Sequence, residues 1–240
     1  MKSLNIFLVV AALAVSAAAA HIFFKAADVA PLELELARVQ SDIDRNRLLA
    51  DKGDVYAQHR LGNLYRTAKP PLQNYAKALI WYEKSANRGH PGSQYALGQM
   101  YANGRGVQQN YYKAAEWYRL ASNLAGLADA QFSLGELYFN GRGVPSSYGL
   151  AIEWYTKAAN QGHAVAQYFL GQINKEGWGA DENLIEAYKW LKLADRHADQ
   201  VLAHSPRNDT KRALASLTAK MNNSQIAAGE KALAAWKPGR

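Results

Sequence analysis

The stretch Ser93-Gln94-Tyr95-Ala96-Leu97-Gly98-Gln99-Met100-Tyr101 returns, with substitutions, at three other places in the chain. Its counterparts are Ala57-Gln58-His59-Arg60-Leu61-Gly62-Asn63-Leu64-Tyr65, Ala130-Gln131-Phe132-Ser133-Leu134-Gly135-Glu136-Leu137-Tyr138 and Ala166-Gln167-Tyr168-Phe169-Leu170-Gly171-Gln172-Ile173. Gly62, Gly98, Gly135 and Gly171 are spaced by 36, 37 and 36 residues, and Trp81, Trp117, Trp154 and Trp190 keep the same intervals. Two independent markers with one period identify a tandem array. A period of roughly 20–50 residues means that each unit buries its apolar face against its neighbours.

Working outward from Gly98, Ser93, Leu97, Met100 and Tyr101 fall on one face at the helical period. Asn103-Gly104-Arg105-Gly106 interrupts that pattern, and a second begins at Tyr111, with Ala114, Ala115, Trp117, Tyr118 and Ala121 in phase. Each unit therefore reads helix, loop, helix, and the fold class is all-α. A glycine inside a helix costs roughly 1 kcal/mol of propensity. Close approach of the partner helix is what offsets that cost at Gly62, Gly98, Gly135 and Gly171. The Trp-Tyr pairs of the second helices are expected in the core. Residues 32–53 read as an N-terminal capping helix and 207–236 as a C-terminal helical cap. Ala203–Asn208 is the joint before that cap, and Asn222-Asn223-Ser224 breaks it in two.

The pattern A-x-x-x-L-G-x-x-Y, then G-x-G-V, then A-x-x-W-Y-x-x-A, then G-H resembles the Sel-1-like repeat, a relative of the tetratricopeptide repeat. The resemblance covers 54–199 as four units, 54–90, 91–127, 128–163 and 164–199. It is specific at Gly104-Arg105-Gly106-Val107 and Gly141-Arg142-Gly143-Val144. It departs at Ala68-Lys69-Pro70-Pro71, at Gly177-Trp178-Gly179-Ala180 and at Asn174, which stands where tyrosine is expected. Terminal repeats are often atypical. The resemblance implies a right-handed α-solenoid of about four helix-turn-helix repeats between helical caps.

Composition narrows the function. The chain has 240 residues, 49% hydrophobic and 20% charged, enough to bury a core. It has no cysteine, which excludes a disulfide scaffold, a thiolate zinc site, a thiol nucleophile and a lipidated cysteine. Some cysteine-rich relatives are linked to β-lactam hydrolysis, and that activity does not carry over to a chain lacking both cysteine and S-x-x-K. The formal charge is +8, but the basic residues are dispersed and match no nucleic-acid module, so no nucleic-acid partner is expected. Residues 1–20 read as an export signal: Lys2, an apolar run from Leu4 to Val15, and the small residues Ala17-Ala18-Ala19-Ala20. Cleavage after Ala20 places the protein in the periplasm or outside the cell. The alternative is an uncleaved anchor in the inner membrane, facing the periplasm, because Ile22-Phe23-Phe24 extends the run to about 24.

Candidate chemistry is sparse. The Gly-x-Gly loops lie between helices and lack a third glycine, so they read as turns rather than phosphate cradles. His90 and His163 occupy equivalent loop positions; His21, His59, His197 and His204 show no metal-ligand spacing. No G-x-S-x-G elbow is present. No catalytic, cofactor or metal residue is expected. The aromatic residues say more. At 100° per residue, Tyr95 lies about 160° from the apolar face of its helix, and Phe132, Tyr168 and His59 are its equivalents. The same face carries Asn63, Gln99, Glu136 and Gln172, then Arg66 and Phe139. In helix pairs of the tetratricopeptide type this surface lines a concave groove. The expected function is a non-enzymatic adaptor or scaffold of the bacterial envelope that binds a protein or peptide there. The alternative is a cell-wall or exopolysaccharide-associated factor binding an anionic glycan; a hydrolase has no motif behind it. Packing of the same rings between successive units is the competing account of the aromatic row.

Overall fold

The computed structural model describes residues 31–239, all helices and connecting loops without a strand. The helices are α1 (31–51), α2 (Val55–Thr67), α3 (Tyr75–Ala86), α4 (Pro91–Asn103), α5 (Tyr111–Ala125), α6 (Ala128–Asn140), α7 (Tyr148–Asn160), α8 (Ala164–Glu176), α9 (Leu184–Asp195), α10 (Ala198–His204), α11 (Thr210–Thr218) and α12 (Asn223–Ala235). The chain forms an all-α solenoid. Residues 1–20, read above as an export signal, and the extension to about 24 lie outside the described residues. No described helix is long and apolar enough to cross a membrane. Two compact units divide between Ala78 and Leu79.

In the first unit, Asp54 caps α2 by accepting from the Ala57 amide at 2.6 Å. Buried Gln58 donates to the Ala50 carbonyl of α1 at 3.1 Å, Arg60 donates to Asn46 at 2.7 Å, and Arg47 donates to the Tyr65 hydroxyl. Ile43, Ala50, Ala57 and Leu61 are buried.

The second unit is built from helix pairs, α4 with α5, α6 with α7 and α8 with α9, joined by packing of α5 on α6 and α7 on α8. The repeat glycines set the distance within each pair. A Cβ on Gly98 would lie 2.4 Å from the Tyr118 ring, one on Gly135 2.8 Å from Tyr155, and one on Gly171 2.5 Å from Leu191. The Trp-Tyr pairs behave unequally. Trp81 and Tyr82 are both buried, as expected; Tyr118 and Tyr155 are buried too, whereas Trp117 and Trp154 are only half-buried, which corrects the expectation for those two pairs. The lysine one turn away lies over the ring in two cases, Lys84 at 4.1 Å from Trp81 and Lys157 at 4.0 Å from Trp154.

Glutamine joins one pair to the next. Gln94 donates to the Ala86 carbonyl at 3.3 Å and Gln167 to Ala159 at 3.1 Å, each reaching the last turn of the preceding helix. The histidines seen as loop residues are helix caps: Nδ1 of His90 accepts from the Ser93 amide, and that of His163 from Ala166, both at 3.1 Å. The interval of 37 has a local cause. Helix α5 ends on Gly126 in the left-handed conformation, and Leu127 stands at the cap position with no side-chain hydrogen bond. Gln131 there accepts from Gln161 at 2.7 Å, and Gln161 also donates to the Gly126 carbonyl at 2.7 Å.

The loops close on backbone atoms. Asn110, Ser147 and Asn183 donate their amides to the carbonyls of Tyr101, Tyr138 and Asn174 at 2.9, 2.9 and 2.8 Å. Asn174 therefore replaces tyrosine without loss of this bond, because the acceptor is main chain. At the C-terminal end, α11 and α12 pack on α9, and α10 packs on α8. Helix α10 occupies the end of the fourth expected repeat and the start of the expected joint.

Candidate functional site

The site begins with an i, i+4 pair on the first helix of each repeat. In α4, Gln99 donates to the Tyr95 hydroxyl at 2.9 Å; in α8, Gln172 donates to the Tyr168 hydroxyl at 3.1 Å. In α2, His59 and Asn63 meet at 3.0 Å. Helix α6 breaks the pattern. Phe132 brings no hydroxyl, and the residue one turn on is the carboxylate Glu136.

Tyr95 and Gln99 of α4 and Phe132 and Glu136 of α6 line one pocket of about 380 Å³. The Tyr95 ring packs on Tyr118 of α5 at 5.7 Å. Ser133, Arg142, His163 and His204 complete the polar wall. His163 stacks on Phe132 at 4.7 Å, and its Nε2 lies 3.4 Å from Asp129. That contact holds the Asp129 carboxyl below its ordinary range, chiefly through the hydrogen bond. His204, the last residue of α10, meets Phe132 edge-on at 5.4 Å, and its Nε2 lies 3.7 Å from a Glu136 oxygen. The Arg142 guanidinium lies over the Tyr111 ring at 5.6 Å.

Burial raises the Glu136 carboxyl to about 7, against the weaker opposite pull of Arg142 and His163. Burial lowers His204, helped by the charge of His163. Burial raises Tyr95, Tyr118 and Tyr155, so these phenols stay neutral around the carboxylate. Among the described residues no group of three or more His, Asp or Glu side chains is placed to hold a metal ion.

The ten residues predicted to line the groove separate into four groups. Tyr95, Gln99, Phe132 and Glu136 come together. Phe139 instead joins Tyr148 at 5.3 Å and Trp178 at 5.7 Å. Tyr168 is only 6% exposed and clusters with Tyr188, Leu191, Val201, Ala213 and Leu217, and its partner Gln172 lies one turn further along α8. His59, Asn63 and Arg66 are half-buried in the first unit. Phe132, too, is 5% exposed, beneath His163, His204 and Phe169. The expectation of an open row of aromatic anchors is corrected at Phe132 and Tyr168. Phe132 is packed by its own and the following repeat, against Tyr155, His163 and Phe169, as packing between successive units would have it, with His204 added at its edge; Tyr168 is covered by helices beyond the repeats. Sequence reasoning missed Ser133, Arg142, His163 and His204 as wall residues. Ser133 is one position past Phe132 on the same helix, but nothing local in the sequence signals His204.

Residues 55–90, 91–125, 128–163 and 164–194 match the family model of the Sel1 repeat. A Sel1 repeat protein from Oxalobacter formigenes is similar in structure, with a TM-score of 0.62 at 24% identity, covering 80% of this chain and 77% of that one. A sel1 repeat protein from Klebsiella pneumoniae subsp. pneumoniae gives 0.50 at 19% identity over 80% and 97%. An immunity protein from Pseudomonas aeruginosa gives 0.43 at 27% identity over 63% and 56%. No curated protein matches the chain.

Proposed function

We propose that this chain, which belongs to the Sel1 repeat family, is a non-enzymatic adaptor of the bacterial envelope that binds a protein partner in the pocket between α4 and α6. Sel1 repeats generally mediate protein–protein interaction, and the pocket states where this one would do so. The observation that carries the reading is the convergence of Tyr95, Gln99, Phe132 and Glu136 in one concavity of about 380 Å³. Aromatic walls with a few placed polar groups are the usual make-up of a recognition pocket. The export signal read in residues 1–20 supports the envelope as the compartment.

Two rim positions test this without disturbing the core. Asn103 and Asn140 line the pocket and are exposed at the last residues of α4 and α6. Arginine is favourable at a helix C-terminus, so Asn103→Arg/Asn140→Arg should fold as wild type while crowding the entrance. Affinity capture from envelope extract should lose the partner with the double variant. Equal recovery with both proteins would sink the pocket as the binding site.

A further inference from the structure

We infer that the pocket between α4 and α6 receives a lysine side chain of the protein partner, with its ammonium on the Glu136 carboxylate and its methylene stem along the Tyr95 ring. The inference rests on the proposed binding role of this pocket and adds the chemistry of what enters it.

Three observations carry it. First, the repeat pattern supplies a hydroxyl partner for the residue at this place in α4 and α8, and α6 withholds it: Phe132 stands in the tyrosine position and a carboxylate in the glutamine position. The departure puts a charged acceptor where the neighbouring repeats keep a neutral, hydrogen-bonded pair. Second, no lysine or arginine pairs with Glu136 among the described residues. Its closest ionic contact is His204 at 3.7 Å, which burial keeps on the neutral side. Arg142 lies over the Tyr111 face and acts on Glu136 without an ion-pair contact. His163 uses Nδ1 as a helix cap and turns Nε2 to Asp129. Third, the walls suit a cation on an apolar stem. Ring faces attract an ammonium, and a lysine stem gains from apolar contact while its head reaches a polar group. A chain N-terminus brings the charge without the stem.

The groups facing Glu136 are Tyr95, Tyr118 and Tyr155, which stay neutral, and Arg142, His163 and His204. As pH rises from 6 to 8 Glu136 ionises, which favours a bound ammonium, so affinity should rise by about tenfold over this range.

The test is an amide-shift NMR titration of the isotope-labelled full chain with the N-acetylated peptide amide Gly-Lys-Gly-Tyr. Control peptides replace lysine by norleucine or by acetyllysine, and one carries norleucine with a free N-terminus. The lysine peptide should shift the amides of Gln99, Ser133 and Glu136, bind at least tenfold tighter than each control, and weaken about tenfold in Glu136→Gln. Equal binding of the norleucine or acetyllysine peptide, tighter binding of the free N-terminus, an unchanged Glu136→Gln, or no shift at these amides with any peptide would each overturn the inference. The pocket reading fails on a different result, unchanged partner capture by Asn103→Arg/Asn140→Arg.

Discussion

Gly135 and Gly149 are both helical glycines of the third repeat, and their surroundings give them opposite values. A methyl on Gly135 meets the Tyr155 ring at 2.8 Å and the Ala151 carbonyl at 3.4 Å, whereas one on Gly149 meets nothing within 4 Å. Alanine at 135 should therefore destabilise by about 1–2 kcal/mol, overpacking outweighing the propensity gain. Alanine at 149 should stabilise by about 0.5 kcal/mol. Urea unfolding of the two variants checks both signs. Glu136 makes the second residue-scale prediction. Its folded pKa, about 7, lies above the ordinary carboxyl value of 4.5. The folded state therefore holds the proton more tightly, and stability from this group is full below pH 4.5 and falls as pH rises toward 7. Glu136→Gln should match wild type near pH 4 and be more stable at pH 8. The side chain is still 34% exposed, so screening keeps the difference to about 1 kcal/mol. Thermal melts across pH 4–8 read it directly. The repeat glycines were legible in the sequence because their period repeats. The altered titration of Glu136 was not, because it depends on which walls surround the carboxylate.

At the scale of the element, the helices from α2 to α12 are started by a side chain except α6 and α10, and each helix–loop–helix unit is locked by its loop. His90 caps α4 through an Nδ1 lone pair, so the cap requires a neutral imidazole. Burial lowers the His90 pKa, which means its contribution is present above about pH 6.5 and lost as pH falls below that. His90→Ala should cost about 1 kcal/mol at pH 8 and His90→Asn much less, as measured by chemical denaturation. The second loop glycine serves the neighbouring repeat. Gly143 has φ 68°, and a Cβ there would lie 2.3 Å from the Tyr111 carbonyl carbon and 2.4 Å from the Tyr112 amide nitrogen. Main chain at the start of α5 has no side-chain freedom with which to give way. Gly143→Ala should cost about 3 kcal/mol or more, seen as a shifted unfolding midpoint. The sequence reading took these glycines as turn residues, which accounts for their φ. Their part in spacing one repeat from the next is visible only once the neighbouring helix is in place.

At the scale of the whole molecule, the C-terminal helices decide how much of the repeat face remains open. Helices α10 and α11 lie against α8 and α9, with Val201, Ala213 and Leu217 buried on Tyr168, Tyr188 and Leu191. Helix α12 adds a close approach of Gly229 to the Tyr188 ring and a Tyr188 hydrogen bond to Glu230 at 2.5 Å. Removing residues 198–239 uncovers this apolar surface. The truncated chain should self-associate on size exclusion and melt several degrees lower, since solenoid ends need a polar cap to stay soluble. The sequence by itself determined the repeat, its period, the all-α class and the helix pairs, because each follows from near-neighbour spacing that recurs four times. It also placed Tyr95, Gln99, Phe132 and Glu136 on one face, since phase along a single helix suffices for that. Only the tertiary structure decided that Phe132 and Tyr168 are buried, that His204 faces Glu136, and that the predicted row shrinks to one pocket. Those outcomes depend on contacts between segments far apart in the chain, made between successive repeats at Phe132 and by helices that carry no repeat signal at Tyr168 and Glu136.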